Sequence, residues 1–293
     1  MPNILFYLYT LYLCCHKMPR MHNIATQHNA LFSLHHCNSG SKNRGEYQRS
    51  RNRMESIAAH NPAMVSYYNL YTRQYEYLHA EYERLLYAPD LPTGARRGYA
   101  DFYPLVHPDD IETLYHAEIE AFKMISNHPE ACRSNFTLIT TPRVRTRYGT
   151  YCRLLRRVSN LIQGCGGNLW LLTITAEMLE NNARINNELP KLYNATTGLT
   201  YCIAPGKSWS PYTLPLSPSE TTMLYLFGQQ FTNREVADIL FRSVHTVATY
   251  RSRILRTFQT DDIRVVYKLA ASLGGFHSVR ISDLFHHKKK SIN

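Results

Sequence analysis

The sequence lacks the residue groupings on which most enzyme chemistry rests. It has no G-x-x-x-x-G-K-[ST] phosphate loop, no G-x-S-x-G nucleophile elbow and no H-E-x-x-H zinc motif. Phosphoryl transfer, acyl transfer and metal-assisted hydrolysis therefore have no starting point, and no enzyme is expected. The seven cysteines, Cys14, Cys15, Cys37, Cys132, Cys152, Cys165 and Cys202, are odd in number, irregularly spaced and without a C-x-x-C pair. Disulfide frameworks and zinc sites need paired sulfurs, so neither is expected, and the pattern suits a reducing cytoplasm. Long apolar runs are missing too. The longest, Ile4 to Cys15, is twelve residues, about 18 Å as a helix against a hydrocarbon core of ~30 Å. No Lys or Arg precedes it and no small-residue cleavage site follows, so it is a poor signal peptide. No membrane partner is expected. Acidic residues are in deficit: Asp+Glu number 22 against 33 Lys+Arg, a net charge of +11 and a pI near 9.3. From Leu216 onward, eleven basic residues face six acidic ones. Such a balance suits a polyanionic partner, or else simply a soluble basic surface.

What is present divides the chain. Residues 1–53 differ in character from the rest, with polar, basic, unpatterned sequence from 16 to 53 as in disordered chains. We expect translation to start at Met54, with 1–53 an extension of the reading frame; the alternative is a segment that touches a membrane. Residues 55–88 read as one long helix, because Met64, Tyr68, Tyr71, Tyr75, Leu78, Tyr82 and Leu85 follow steps of three and four, and Pro89 and Pro92 end it. Its seam could form a dimer coiled coil; since tyrosines make a bulky seam, packing against its own domain is preferred. His107-Pro108-Asp109-Asp110 opens a second helix with one apolar face, through Ile111, Leu114, Tyr115, Ile119, Phe122 and Ile125. Three strand-like runs follow, Asn135–Thr141, Thr150–Leu161 and Asn168–Met178, separated by turns at Tyr148-Gly149 and Gly164–Asn168. Residues 186–215 read as a proline-bearing connector with a short hairpin around Thr196-Thr197-Gly198. Residues 276–293 read as a disordered basic tail containing His286-His287-Lys288-Lys289-Lys290.

The most specific stretch is 216–258. Ser217, Pro218 and Glu220 write a capping box with proline at the first helical position, Thr232 and Glu235 repeat the box, and Ser243 caps a third helix. Only Phe241 and Arg242 connect the last two helices, and the third carries Arg251, Arg253 and Arg256. This segment resembles the LuxR-type (GerE, FixJ) helix-turn-helix of bacterial transcription regulators through Leu216, Pro218, Glu220, Leu224, Leu226, Asn233, Glu235, Val236, Ala237, Leu240, Ser243, Thr246, Val247, Arg251, Ser252, Ile254 and Leu255. The resemblance implies a four-helix domain over 216–275, with the fourth helix at 261–273 available for dimerisation. The helix opened by His107-Pro108 and followed by three strands is similar to the second half of a PAS domain. Its first two strands, which should precede that helix, are not visible around Arg96–Phe102. The expected fold class is thus α+β: a PAS-like antiparallel sheet with helices over 54–185, then an all-α LuxR-type domain.

In this architecture the third helix, about Val244 to Phe258, enters the major groove. Val247, Ile254, Phe258 and partly Tyr250 should pack inward, leaving His245, Ala248, Thr249, Ser252, Arg253 and Arg256 on the open face. The resemblance points to base-edge contacts at Ala248, Thr249 and Ser252. It places Arg251, Arg253, Arg256, Thr232 and Asn233 near phosphates, with His245 and Thr246 at the helix start. Three positions depart from the family pattern: Gln230 where glycine is common, Ala248 where lysine is common, and Tyr250 where histidine is common. Without the lysine, Ala248 and the Thr249 methyl could instead touch thymine methyl groups. The implied partners are double-stranded DNA, RNA polymerase, a second copy of the chain and a small-molecule ligand or protein partner at the PAS-like domain; no cofactor is implied. Two other readings are weighed. A sigma-like polymerase subunit uses a similar motif but carries helical core-binding regions rather than an α+β half. A protein-interaction module that has lost DNA binding would fit the changes at Gln230 and Ala248.

Overall fold

The computed structural model describes residues 63–86, 101–163, 169–179 and 189–276, together with positions 48, 49, 52, 56 and 279. The expectations for 1–47, for the ends at Pro89 and Pro92, for the glycine turn at 164–168 and for the tail beyond 279 lie outside these residues.

Residues 64–86 do not form one helix. Residues expected to be helical form strand β1 (Met64–Asn69), strand β2 (Gln74–Tyr77) and a short helix α1 (Ala80–Leu86). The cause is burial of β1 on both faces, which removes the polar-apolar alternation that marks a half-exposed strand. Met64 and Tyr68 enter one core cluster, while Val65 and Tyr67 enter another with Trp170 and Leu171. The turn carries neither glycine nor proline. Asn69 Oδ1 accepts from the backbone of Tyr71 at 2.9 Å and Thr72 at 3.3 Å, and Arg73 takes a left-handed φ of 54°. These are the two strands missing from the PAS-like pattern.

After β2 the chain reaches helix α2 (Pro108–Ser126), capped by the His107 ring, which accepts from Asp109 N. Asp110 ties this helix start to the following strand through Arg143, at 2.6 Å. Then come β3 (Phe136–Thr140), β4 (Arg143–Arg145), β5 (Tyr151–Gln163) and β6 (Leu169–Leu179). The segment expected to be a connector adds three more strands, β7 (Lys191–Asn194), β8 (Thr200–Cys202) and β9 (Ser210–Tyr212). The hairpin expected around Thr196-Thr197-Gly198 is there, but it does not hang free: β7 pairs with β3. The sheet is antiparallel with order β2-β1-β6-β5-β3-β7-β8-β9, and β4 pairs with β5 off this path. β1 and β2 precede α2, and β3, β5 and β6 follow it in the order β2-β1-β6-β5-β3, a PAS-like arrangement.

Four helices complete the described fold: α3 (Pro218–Gly228), α4 (Asn233–Leu240), α5 (Val244–Phe258) and α6 (Ile263–Ser272). They share a core with the sheet, since Ile139, Leu155, Leu179 and Tyr193 pack in one cluster with Leu224, Val247 and Leu269. Polar contacts reinforce this seam. Arg157 donates to Ser272 Oγ and to Glu177, both at 2.7 Å, and Lys268 Nζ lies 3.2 Å from Glu177. On the sheet side, Trp170 stacks with Tyr71 at 6.2 Å and Trp209 packs in a cluster with Ala117 and Ile203. Among the described residues no helix is long and apolar enough to cross a membrane, no group of metal-ligating side chains occurs, and Cys132, Cys152 and Cys202 are free.

Candidate nucleic-acid interface

The three helix starts written in the sequence are made. Ser217 Oγ accepts from Glu220 N at 3.3 Å while Glu220 accepts from Ser217 N at 2.9 Å. Thr232 and Glu235 repeat this at 3.3 and 2.7 Å, and Ser243 Oγ accepts from Thr246 N at 3.0 Å. Each box satisfies helix-start donors that would otherwise lack partners. The two hydrogen bonds from Thr232, backbone first, hold the Glu235 carboxyl below the usual range. Gln230 has φ 68°, so the turn keeps the left-handed shape that glycine takes more easily.

Helix α5 is anchored by Val247, Ile254 and Phe258, at 0, 0 and 1 % exposure, against Leu224, Phe227, Val236 and Ala237. Tyr250 is half-buried beside them. The opposite face presents His245, Thr249, Ser252, Arg253 and Arg256 as exposed side chains, with Ala248 half-buried among them. The arginines divide into kinds that the sequence did not distinguish. Arg251 is half-buried: it donates to Asn233 Oδ1 at 3.2 Å and lies 5.0 Å over the Phe227 ring. Two residues expected to meet phosphates therefore bond each other and clamp α4 to α5, because Arg251 points toward the supporting helices rather than outward. Arg253 leans over Tyr250 at 5.3 Å and lies 3.8 Å from Glu220. Thr246 is also committed locally, its hydroxyl 2.8 Å from Ser243 Oγ in the cap. Thr249 donates its hydroxyl to His245 O at 2.9 Å.

Three exposed residues around this face went unmarked in the sequence reading: Arg234 on α4, Arg242 in the turn and Val244 at the start of α5. The signal for the arginines was present, as basic residues inside the motif. Val244 carried none, since an apolar residue in a helical pattern reads as core. Phe241, in the same turn, is 65 % exposed and adopts φ 51°.

A capped helix lying across a supporting helix, with an open face of short polar side chains and arginines, defines a helix-turn-helix of the DNA-binding class. Residues 214–270 match the family model described as bacterial regulatory proteins, luxR family, so this segment is a LuxR-type helix-turn-helix domain. No curated protein matches the chain. Solved structures with similarity include a phage VqmA in complex with DPO, 14% identical over 84% of this chain and 95% of that one, TM-score 0.32. Another is the Vibrio cholerae VqmA dimer, 15% identical over 79% and 91%, TM-score 0.32. A sensory box histidine kinase/response regulator from Burkholderia thailandensis is 22% identical over 43% and 84%, TM-score 0.31.

Proposed function

We propose that the chain is a sequence-specific transcription regulator that binds duplex DNA as a homodimer, acts on RNA polymerase, and takes a ligand or partner at its PAS-like half. The observation that carries the DNA reading is the open face of α5. His245, Thr249 and Ser252 follow one helical stripe, and Arg253 and Arg256 flank it. On this reading Ala248, Thr249 and Ser252 meet base edges, while Arg253 and Arg256 meet phosphates, with Thr232, Arg234 and Arg242 beside them. Arg251 and Asn233 act one step back, by fixing the angle between α4 and α5.

The sensing reading is supported by a polar cluster inside the PAS-like core. Arg156 is fully buried and pairs with Glu118 at 2.8 Å; Tyr103 donates to the same carboxylate. Tyr115 stacks on Tyr103 at 4.1 Å, and its phenol is pushed up to about 12 by burial and by the Glu118 charge. A buried ion pair adds little net stability, whereas losing one partner is costly, so the cluster sets how α2 sits on β5, the contact that a bound ligand or partner would have to move.

The test of the DNA reading uses the full chain and gel-shift titration on duplexes selected from a random pool. Thr249→Ala and Ser252→Ala are expected to change which sequences are preferred, each by about 1–3 kcal/mol of discrimination. Arg253→Ala and Arg256→Ala are expected to weaken all duplexes alike and to lower the slope of log affinity against log salt by about one each. Absence of binding at low salt would leave the interaction-module reading, which the exposed Phe241 favours.

A further inference from the structure

The start of the recognition helix carries an apolar feature that DNA-facing polar residues do not explain. Val244 is 48 % exposed, at the first position of α5, between exposed Arg242 and His245. Ala248 lies one turn on, at i+4, on the same stripe. Thr249 adds a methyl group, because its one hydroxyl hydrogen is already given to the His245 carbonyl. Val244 and Ala248 therefore form a small nonpolar ridge beside the stripe of His245, Thr249 and Ser252, and the Thr249 methyl lies next to Ala248 in sequence. A valine held in water at this place forfeits burial, yet it lies within the surface that would press on a partner.

We infer that this ridge is a thymine reader, in which Val244 is a specificity-determining residue that packs on the 5-methyl group of thymine in the major groove. The inference rests on the DNA-binding reading and sharpens it. The argument is one of complementarity. The major-groove edge offers hydrogen-bond donors and acceptors at every base pair, but only thymine offers a carbon surface there. Polar and charged side chains flank the ridge, at His245, Ser252 and Arg253, and these suit the rest of that edge. The Val244 and Ala248 Cα atoms are separated by about 6 Å along the helix axis, close to two base steps of about 3.4 Å. The ridge thus addresses more than one base pair, with Val244 on one thymine and Ala248 with Thr249 on another.

The experiment replaces thymine by deoxyuracil, which removes the methyl group and changes no hydrogen bond. Duplexes selected by the full chain from a random pool are synthesised with each thymine replaced in turn. Affinity is measured for the native sequence and for Val244→Ala, with circular dichroism showing that both are folded. The native chain is expected to lose about fourfold at each contacted thymine, the equivalent of one buried methylene-sized group. Val244→Ala is expected to become indifferent at one of those positions and to keep its sensitivity at the other. Tight, selective binding that ignores every thymine methyl would overturn the thymine reader and leave the DNA reading standing. So would full methyl sensitivity retained in Val244→Ala. Failure to bind any duplex would overturn both.

Discussion

At the scale of single residues, two positions hold free energy that substitution releases. Gln230 occupies a left-handed conformation at φ 68°, which costs a side-chain-bearing residue roughly 1–2 kcal/mol. Gln230→Gly is expected to stabilise the chain by about 0.5–1 kcal/mol after the added flexibility of the unfolded chain is counted, read as a higher urea midpoint. An unchanged or lower midpoint would show that the turn is not strained there. Lys191 is 2 % exposed, donates to Leu189 O at 2.8 Å and lies 5.0 Å from the Tyr212 ring. Burial brings its ammonium down to about 8, against a smaller upward pull from Cys202. Between that value and the ordinary one near 10.4, the unfolded chain binds more protons, so native stability rises with pH. Lys191→Met is therefore expected to be more stable at neutral pH, with the advantage shrinking as pH approaches about 10. An advantage that stays flat across that range would contradict the assignment.

At the scale of elements, the helix caps and the strands β3, β5 and β6 were legible and the β1–β2 hairpin was not. Ser217, Thr232 and Ser243 announce α3, α4 and α5 because a capping residue has a local job that sequence displays directly. The inward face of α5 was legible for the same local reason, through Val247, Ile254 and Phe258. The β1–β2 hairpin was hidden: β1 is apolar on both faces and its turn uses Asn69 and Arg73 in place of glycine, so chance spacing of tyrosines mimicked a helical seam. The hydrogen bond from Arg251 to Asn233 was not legible, because a basic residue in a motif gives no sign of its partner. The close approach of α3 to α6 could not be read either. A Cβ at Gly228 would fall 2.0 Å from the Tyr267 ring, so Gly228→Ala is expected to destabilise by about 1–3 kcal/mol. Thermal unfolding checks this, and a neutral result would mean that the ring has room to move. Ser217→Ala, which removes one half of a capping box, is expected to cost about 1 kcal/mol by the same measurement.

At the scale of the whole molecule, the sheet and the four-helix domain are held by one apolar cluster and one polar seam. Burial pushes the Glu177 carboxyl up, but the hydrogen bond and charge of Arg157, with Lys268, outweigh it and hold Glu177 below the usual range. A carboxylate depressed in the folded state contributes stability that is present above about pH 4.3 and lost as pH falls through its lowered value. The seam is therefore expected to be intact at neutral pH and to loosen in acid, seen as an increase in radius of gyration by small-angle scattering. Glu177→Gln is expected to produce part of that change at pH 7; an unaltered radius in both cases would show that the apolar cluster holds the halves without it. The position of the tryptophans has a further consequence. Trp170 and Trp209 are the only two in the chain, and neither lies in the segment from Leu216 onward. Their emission is thus an optical signature of the sheet half. On the proposed reading a duplex touches only the other half. A shift of tryptophan emission on adding DNA would then be a signal carried through Arg157, Glu177 and Lys268, while the anisotropy of a labelled duplex would report the contact itself.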